Sequence, residues 1–212
     1  FRPEILSELI DNIHAARPDH IAVTGDLVNL ALPEEIEFAR TWLDQLGDPH
    51  DVTVIPGNHD AYVPGALALT RRHWRDFMTG DNSPDAVVFP FVRYRGPVAL
   101  VGVNSARATA PFMATGHLSH RQLDVLAATL ERLREEKRFR VVMLHHPPQT
   151  DIRYWNQRLV EGEAFCAVIA REIIAGKNWR NLKVAAVVAL LAAADAGFFI
   201  EAHLRGTADY SA

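Results

Sequence analysis

The chain has 212 residues, 49% of them apolar and 23% charged, the composition of a soluble globular protein with a sizeable core. A net charge of −4 and a pI near 6.2 offer no basic face to nucleic acid or to an anionic membrane. Cys166 is the one cysteine, which excludes an intrachain disulfide and suits a reducing cytoplasm.

The chain opens at Phe1 without a charged-then-apolar leader and enters a helix at once, as a chain whose start is missing would. Pro3, then Ile5, Leu6, Leu9, Ile10 and Ile13 at helical spacing, predict an amphipathic helix. His20 to Thr24 reads as a strand ended by Gly25-Asp26. Pro33-Glu34-Glu35 opens a second helix, with acids at its positive dipole end, and Gly47 stops it. Val52 to Ile55 is a β-branched strand broken by Pro56-Gly57. Helix, strand, helix, strand with short connections predicts a parallel α/β sheet.

Further on, Arg71 to Met78 reads as a short helix and Asp81 to Asp85 as a turn-rich loop. Val87 to Arg95 and Val98 to Val103 read as a hairpin turned at Gly96-Pro97, which implies a second, mixed sheet packed on the first. Ser119 caps a helix from His120 to about Lys137, with Leu123, Leu126, Leu130 and Leu133 on one face. Phe139 to Leu144 is a continuous apolar strand cut by His145-His146-Pro147-Pro148. A helix from about Gly162 to Ala175 follows, with Cys166 expected to pack inside it. The Ala-rich run from Val184 carries Asp195 and is short for a membrane span, so it reads as buried helix and strand, and Phe198 to Ile200 as a last strand. With no repeat and no linker, residues 1–212 read as one domain. The four tryptophans are dispersed, and core packing is their expected role.

Three strand ends carry polar groups: Asp26 with Asn29, then Asn58-His59-Asp60, then His145-His146. Open α/β sheets place ligands at such ends, so a parallel arrangement converges the three on one edge. Asp and Asn oxygens with imidazole nitrogens, and no thiolate, suit Zn, Mn or Fe in a reactive site. The plainer readings are turn formers for Asp26 and Asn29, a cap for Asn58-His59-Asp60, and a strand stop for the His pair. Asn104-Ser105 follows a strong strand and reads as a turn, with a place lining the cleft as the alternative. The loops Tyr62 to Leu69 and Ala106 to Gly116 are placed to shape a cleft.

Thr24-Gly25-Asp26-Leu27-Val28-Asn29, Pro56-Gly57-Asn58-His59-Asp60 and Leu144-His145-His146-Pro147-Pro148 together resemble successive motifs of the calcineurin-like metallophosphoesterases. The nearest subgroup is that of the bacterial class III cyclic-nucleotide phosphodiesterases. The resemblance implies a four-layer α/β/β/α sandwich with two mixed sheets packed face to face. It implies that Asp26 bridges two metals (Mn, Fe or Zn) and that Asn58 and His145 ligate the second. His59 then contacts the scissile phosphate and protonates the leaving oxygen, Asn29 orients His59, Asp60 is structural, and His146 binds substrate or lies behind the ligands.

Two departures accompany it. The family opens with a strand ending in Asp-x-His, which this chain lacks at its start, and closes with Gly-His-x-His. Here the last stretch reads Ala202-His203-Leu204-Arg205, so His203 stands for one ligand of the second metal, and the first-metal set is reduced to Asp26. The implied activity is hydrolysis of a small-molecule phosphoester, such as a cyclic nucleotide, by metal-activated hydroxide, with no nucleic-acid polymer and no membrane as partner. The rival is a non-catalytic binding or scaffold module that keeps the fold.

Overall fold

The computed structural model describes residues 3–149, 155–175 and 184–188. Helix α1 spans Pro3–Ala16, strand β1 Ile21–Val23, helix α2 Pro33–Leu46 and strand β2 Val52–Val54. β1 and β2 pair in parallel, with Ile21 opposite Val52 and Val23 opposite Val54. The start of α2 is fixed by Glu35, whose carboxylate accepts from the Leu30 and Leu32 amides at 2.9 and 3.0 Å. Helix α3, Ala66–His73, follows the site-bearing turn after β2.

A second sheet has the order β3 (Phe91–Arg95), β4 (Val98–Gly102), β5 (Phe139–Leu144), β6 (Val184–Val188). β3 and β4 are antiparallel, whereas β4, β5 and β6 run parallel. Gly96, with φ of 55°, takes the first central position of the two-residue hairpin turn, where a positive φ is needed and Pro97 follows without strain. Helices α4 (His120–Glu135) and α5 (Gly162–Ala175) cover the outer face. Ser119 caps α4 by accepting from the Gln122 amide.

Side-chain alternation divides the core into two. Phe91, Leu100, Val141 and Met143 point from the second sheet into a cluster with Val23, Val52 and Val54 of the first and with Ile36, Trp42 and Leu43 of α2. Ala99, Val101, Val142 and Leu144 point the other way, onto Leu123, Leu126, Leu130 and Leu133 of α4 and Phe165 of α5. The layers are therefore helix, sheet, sheet, helix, as expected. Arg93 ties the two sheets: its buried guanidinium donates to the carbonyls of Val52 and Pro49 beside β2, and of Thr79 and Asp76.

Several expectations need correction. Among the described residues the first sheet is a parallel pair rather than a mixed sheet. The helix expected at Arg71–Met78 begins earlier, as α3, and closes with a 3₁₀ turn at Arg75–Phe77. β3 starts at Phe91, not Val87; Pro90 has no amide to give a ladder, and Val87 and Phe89 pack on the core from a non-strand segment. Cys166 is exposed, because the buried stripe of α5 runs through Phe165 and Glu172. Trp42 and Trp74 are core residues, whereas Trp155 is 62% exposed. Trp179, the expected strand Phe198–Ile200 and most of the Ala-rich run lie outside the described residues. No helix among the described residues is long and apolar enough to cross a membrane.

Candidate active site

β1, β2, β4 and β5 send the segments that follow them to one edge of the two sheets. The turns after β1 and β2 meet backbone to backbone there. A Cβ on Gly25, whose φ is 94°, would lie 2.2 Å from the Gly57 amide nitrogen. A Cβ on Gly57 would lie 2.1 Å from Asp26 Oδ1 and 2.6 Å from His145 Cε1. Glycine at both positions is thus a condition for bringing Asp26, Asn58 and His145 together.

His145 Nδ1 lies 2.6 Å from the Thr24 carbonyl. A carbonyl only accepts, so Nδ1 carries a hydrogen, and in the neutral imidazole form Nε2 is then the lone-pair nitrogen. That nitrogen faces Asn58 Oδ1 at 3.1 Å and Asp26 Oδ1 at 3.5 Å. Three lone-pair donors therefore point at one another, on side chains that for Asp26 and His145 are only 4% exposed. A proton on Nε2 would satisfy one of the two oxygens; a cation among the three satisfies all of them. Ligands held about 2.0–2.2 Å from one ion lie roughly 3–3.5 Å apart, so the spacing fits a divalent metal. Among the described residues no group of three or more His, Cys, Asp or Glu forms a metal cluster, and the third donor here is the Asn58 amide oxygen.

His59 sits beside this set. Its amide donates to Asp26 Oδ1 at 3.0 Å, its ring stacks on Tyr62 at 5.7 Å and 18°, and its Nδ1 lies 2.7 Å from a carbonyl. That carbonyl is the main-chain oxygen of Asn29. Position 29 does hold the ring, but through its backbone rather than its side chain. Nδ1 again carries the hydrogen, so Nε2 is the ring nitrogen not engaged by the Asn29 carbonyl.

Asp60 is fully buried and turned away from the three donors, accepting main-chain N–H groups instead. Burial, then the neighbouring Asp26 charge, pushes its carboxyl pKa up, against three N–H donors that favour the anion. His146 is also buried, at 2% exposure, and lies behind His145, one of the two places expected for it. It packs edge-on behind His145, 4.9 Å between ring centres, and its Nδ1 pairs with Ser105 Oγ at 2.7 Å. Burial, then proximity to His145, lowers its pKa to about 3, so the ring is neutral. Of the expected set, the structure brings together Asp26, Asn58, His145 and His59; His203 lies outside the described residues.

The sequence matches the family described as calcineurin-like phosphoesterase over residues 2–175. The chain belongs to that family. A glycerophosphodiester phosphodiesterase of Enterobacter lignolyticus is 50% identical over 44 residues, 21% of this chain and 15% of its own length. A Synechococcus protein named "Probable cyclic nucleotide phosphodiesterase" is 30% identical over 137 residues, 65% of this chain and 46% of its own length. The chain thus spans less than half the length of either relative in the matched stretch. Membership of the calcineurin-like phosphoesterases implies divalent metal ions in general, and the donor set of Asp26, Asn58 and His145 fits one.

Sequence reasoning held Ser105 in this phosphoesterase domain only as an alternative to a turn residue, without its partner His146. The signal available was its place just after an apolar strand that runs parallel to β5, which delivers it to the same edge as His146. Asn104 holds that segment in place, its amide donating to Gln122 Oε1 and its carbonyl accepting from Gln122 Nε2, both at 2.9 Å. The Ala106–Gly116 loop then passes over His146, where a Cβ on Gly116 would lie 2.4 Å from the ring.

Proposed function

We propose that this phosphoesterase domain hydrolyses a small-molecule phosphoester, in the first instance a phosphodiester. The observation that carries the reading is the convergence of three lone-pair donors, Asp26, Asn58 and His145, with His59 at their side. Asp26, Asn58 and His145 would hold a divalent cation; Mn, Fe and Zn all suit these donors. When bound, the metal lowers the pKa of water and offsets phosphate charge.

The protein's own groups do the rest. Asn29 fixes the His59 ring through Nδ1, so proton exchange takes place at Nε2, facing the substrate. A protonated Nε2 donates first to a phosphate oxygen and then to the departing alkoxide. Tyr62 limits rotation of that ring by stacking on it. Cyclic nucleotides and glycerophosphodiesters come first among the candidate substrates we propose, a choice supported by the names of the two relatives. A single exposed cysteine is compatible with work in a reducing cytoplasm.

The test uses the full chain reconstituted with Mn²⁺ on bis(4-nitrophenyl) phosphate, 4-nitrophenyl phosphate and 3′,5′-cyclic AMP. Diester turnover that falls about 10²–10⁴-fold in kcat in His59→Ala, with Mn²⁺ affinity retained, is the expected result. Saturable Mn²⁺ binding without release of product from any ester would instead identify the non-catalytic module.

A further inference from the structure

Asp60 is a buried acid to which the chemistry above gives no role. Both carboxylate oxygens are spent on main-chain amides. Oδ2 accepts from Asp26 N and Gly57 N, each at 2.7 Å, and Oδ1 accepts from Leu27 N at 2.9 Å. Two of those amides belong to Asp26 and its successor, and the third to the residue just before Asn58. One carboxylate therefore spans the two turns that carry the Asp and Asn donors, although those turns leave different strands, 34 residues apart at Asp26 and Asp60.

The strap is itself anchored. The Asp60 carbonyl accepts from Thr70 Oγ1 at 2.8 Å, on the buried face of α3. Asp26 in turn is held at φ of 58°, a left-handed conformation that costs an ordinary residue energy and needs outside support. Asp26 Oδ1 then accepts from the His59 amide at 3.0 Å, which closes a ring from Asp60 through Asp26 back to the residue before Asp60. A charged acceptor makes each of these bonds stronger than a neutral one would. Removing it orphans three N–H groups at the contact between the turns.

We propose that Asp60 is a positioning residue: a buried anion that never touches the metal but sets the mutual placement of the Asp26 and Asn58 oxygens, and so the affinity for a divalent cation. The inference rests on the reading of Asp26, Asn58 and His145 as metal ligands. Partners that orient ligands from behind are commonly worth 10- to 100-fold in metal affinity.

The experiment is calorimetric titration of Mn²⁺ into the metal-free full chain and its variants, with melting curves of the same samples. Asp60→Asn keeps the shape and loses the charge, turning one acceptor into a donor that faces N–H groups. It is expected to weaken Mn²⁺ binding at least tenfold and to broaden the Mn²⁺ electron paramagnetic resonance signal. Asp60→Glu keeps the charge one methylene out of place; it is expected to weaken binding by at least fivefold, and it serves if Asp60→Asn does not fold. Thr70→Val lowers the melting temperature through the same segment without touching the carboxylate, and its affinity is expected to stay within twofold. An Mn²⁺ affinity unchanged in folded Asp60→Asn or Asp60→Glu, or a loss in Thr70→Val as large as theirs, overturns the inference. Asn58→Ala separates the two levels. If it too binds Mn²⁺ like the parent, the ligand reading has failed; if it alone loses affinity, only the role of Asp60 has.

Discussion

The two edges of the first sheet are both polar, and they differ in how the polar groups are satisfied. At the edge where β1 and β2 begin, donors meet acceptors. Arg95 donates to His20 Nδ1 at 3.3 Å, His20 Nε2 meets Thr53 Oγ1 at 2.7 Å, and Arg95 pairs with Asp81 at 3.1 Å. At the edge where they end, Asp26, Asn58 and His145 set acceptor against acceptor. The first edge holds the sheets together; the second is where the proposed cation would sit. Polar residues alone do not mark the site, since both edges carry histidine and aspartate. The pairing does.

The largest expected effect breaks the contrast at its crowded side. Gly57→Ala places a methyl group on Asp26 Oδ1 and His145 Cε1. Overpacking of this kind costs about 1–3 kcal/mol in stability. Because the displaced atoms are the donors, Mn²⁺ affinity should fall by more than tenfold in the same protein, measured by calorimetry beside a melting curve.

A smaller effect sharpens the satisfied edge. Burial, then Arg95 and Arg93, lower the His20 pKa from 6.5 to about 4. The unfolded chain therefore binds the proton more readily than the folded one between those values. His20's contribution to stability is complete above pH 6.5 and is lost as the pH falls toward 4. The loss should remain below about 3 kcal/mol, because the ring is partly exposed. Denaturant midpoints from pH 7 to pH 4 should fall more steeply for the parent than for His20→Gln, and parallel curves would show the ring to be indifferent. Activity at pH 7 should be the same in both.

The smallest effect concerns Asn29. Since its carbonyl and not its amide meets His59, Asn29→Ala should reduce kcat/KM by less than fivefold. A reduction of a hundredfold would mean that the side chain, not the backbone, orients the ring.

Much of this was legible in the sequence, and what was not has physical reasons. The alternation of helices and strands up to β2, the hairpin, and α4 with its Ser119 cap followed from periodicity and turn chemistry. Asp26, Asn58 and His145 followed from their places just after apolar strands, together with the family resemblance. Two places were open for His146, and the alternation of neighbouring side chains favours the one behind the ligands: with His145 turned to the site, His146 turns inward. The Asn29 carbonyl was hidden because a backbone atom is not encoded by side-chain identity. The pairing of Ser105 with His146 was hidden because the bond joins segments 41 residues apart. Cys166 was assigned to the core because an apolar helical run shows its period only when the buried stripe is known.

The most direct test of the central claim is a Co²⁺ titration of the metal-free chain and of His145→Ala, read by visible absorption. The account expects the parent to develop a saturable ligand-field band that is lost or shifted in His145→Ala. Identical bands at equal Co²⁺ affinity in the two proteins would contradict it, because the nitrogen that faces Asp26 and Asn58 would then hold no metal.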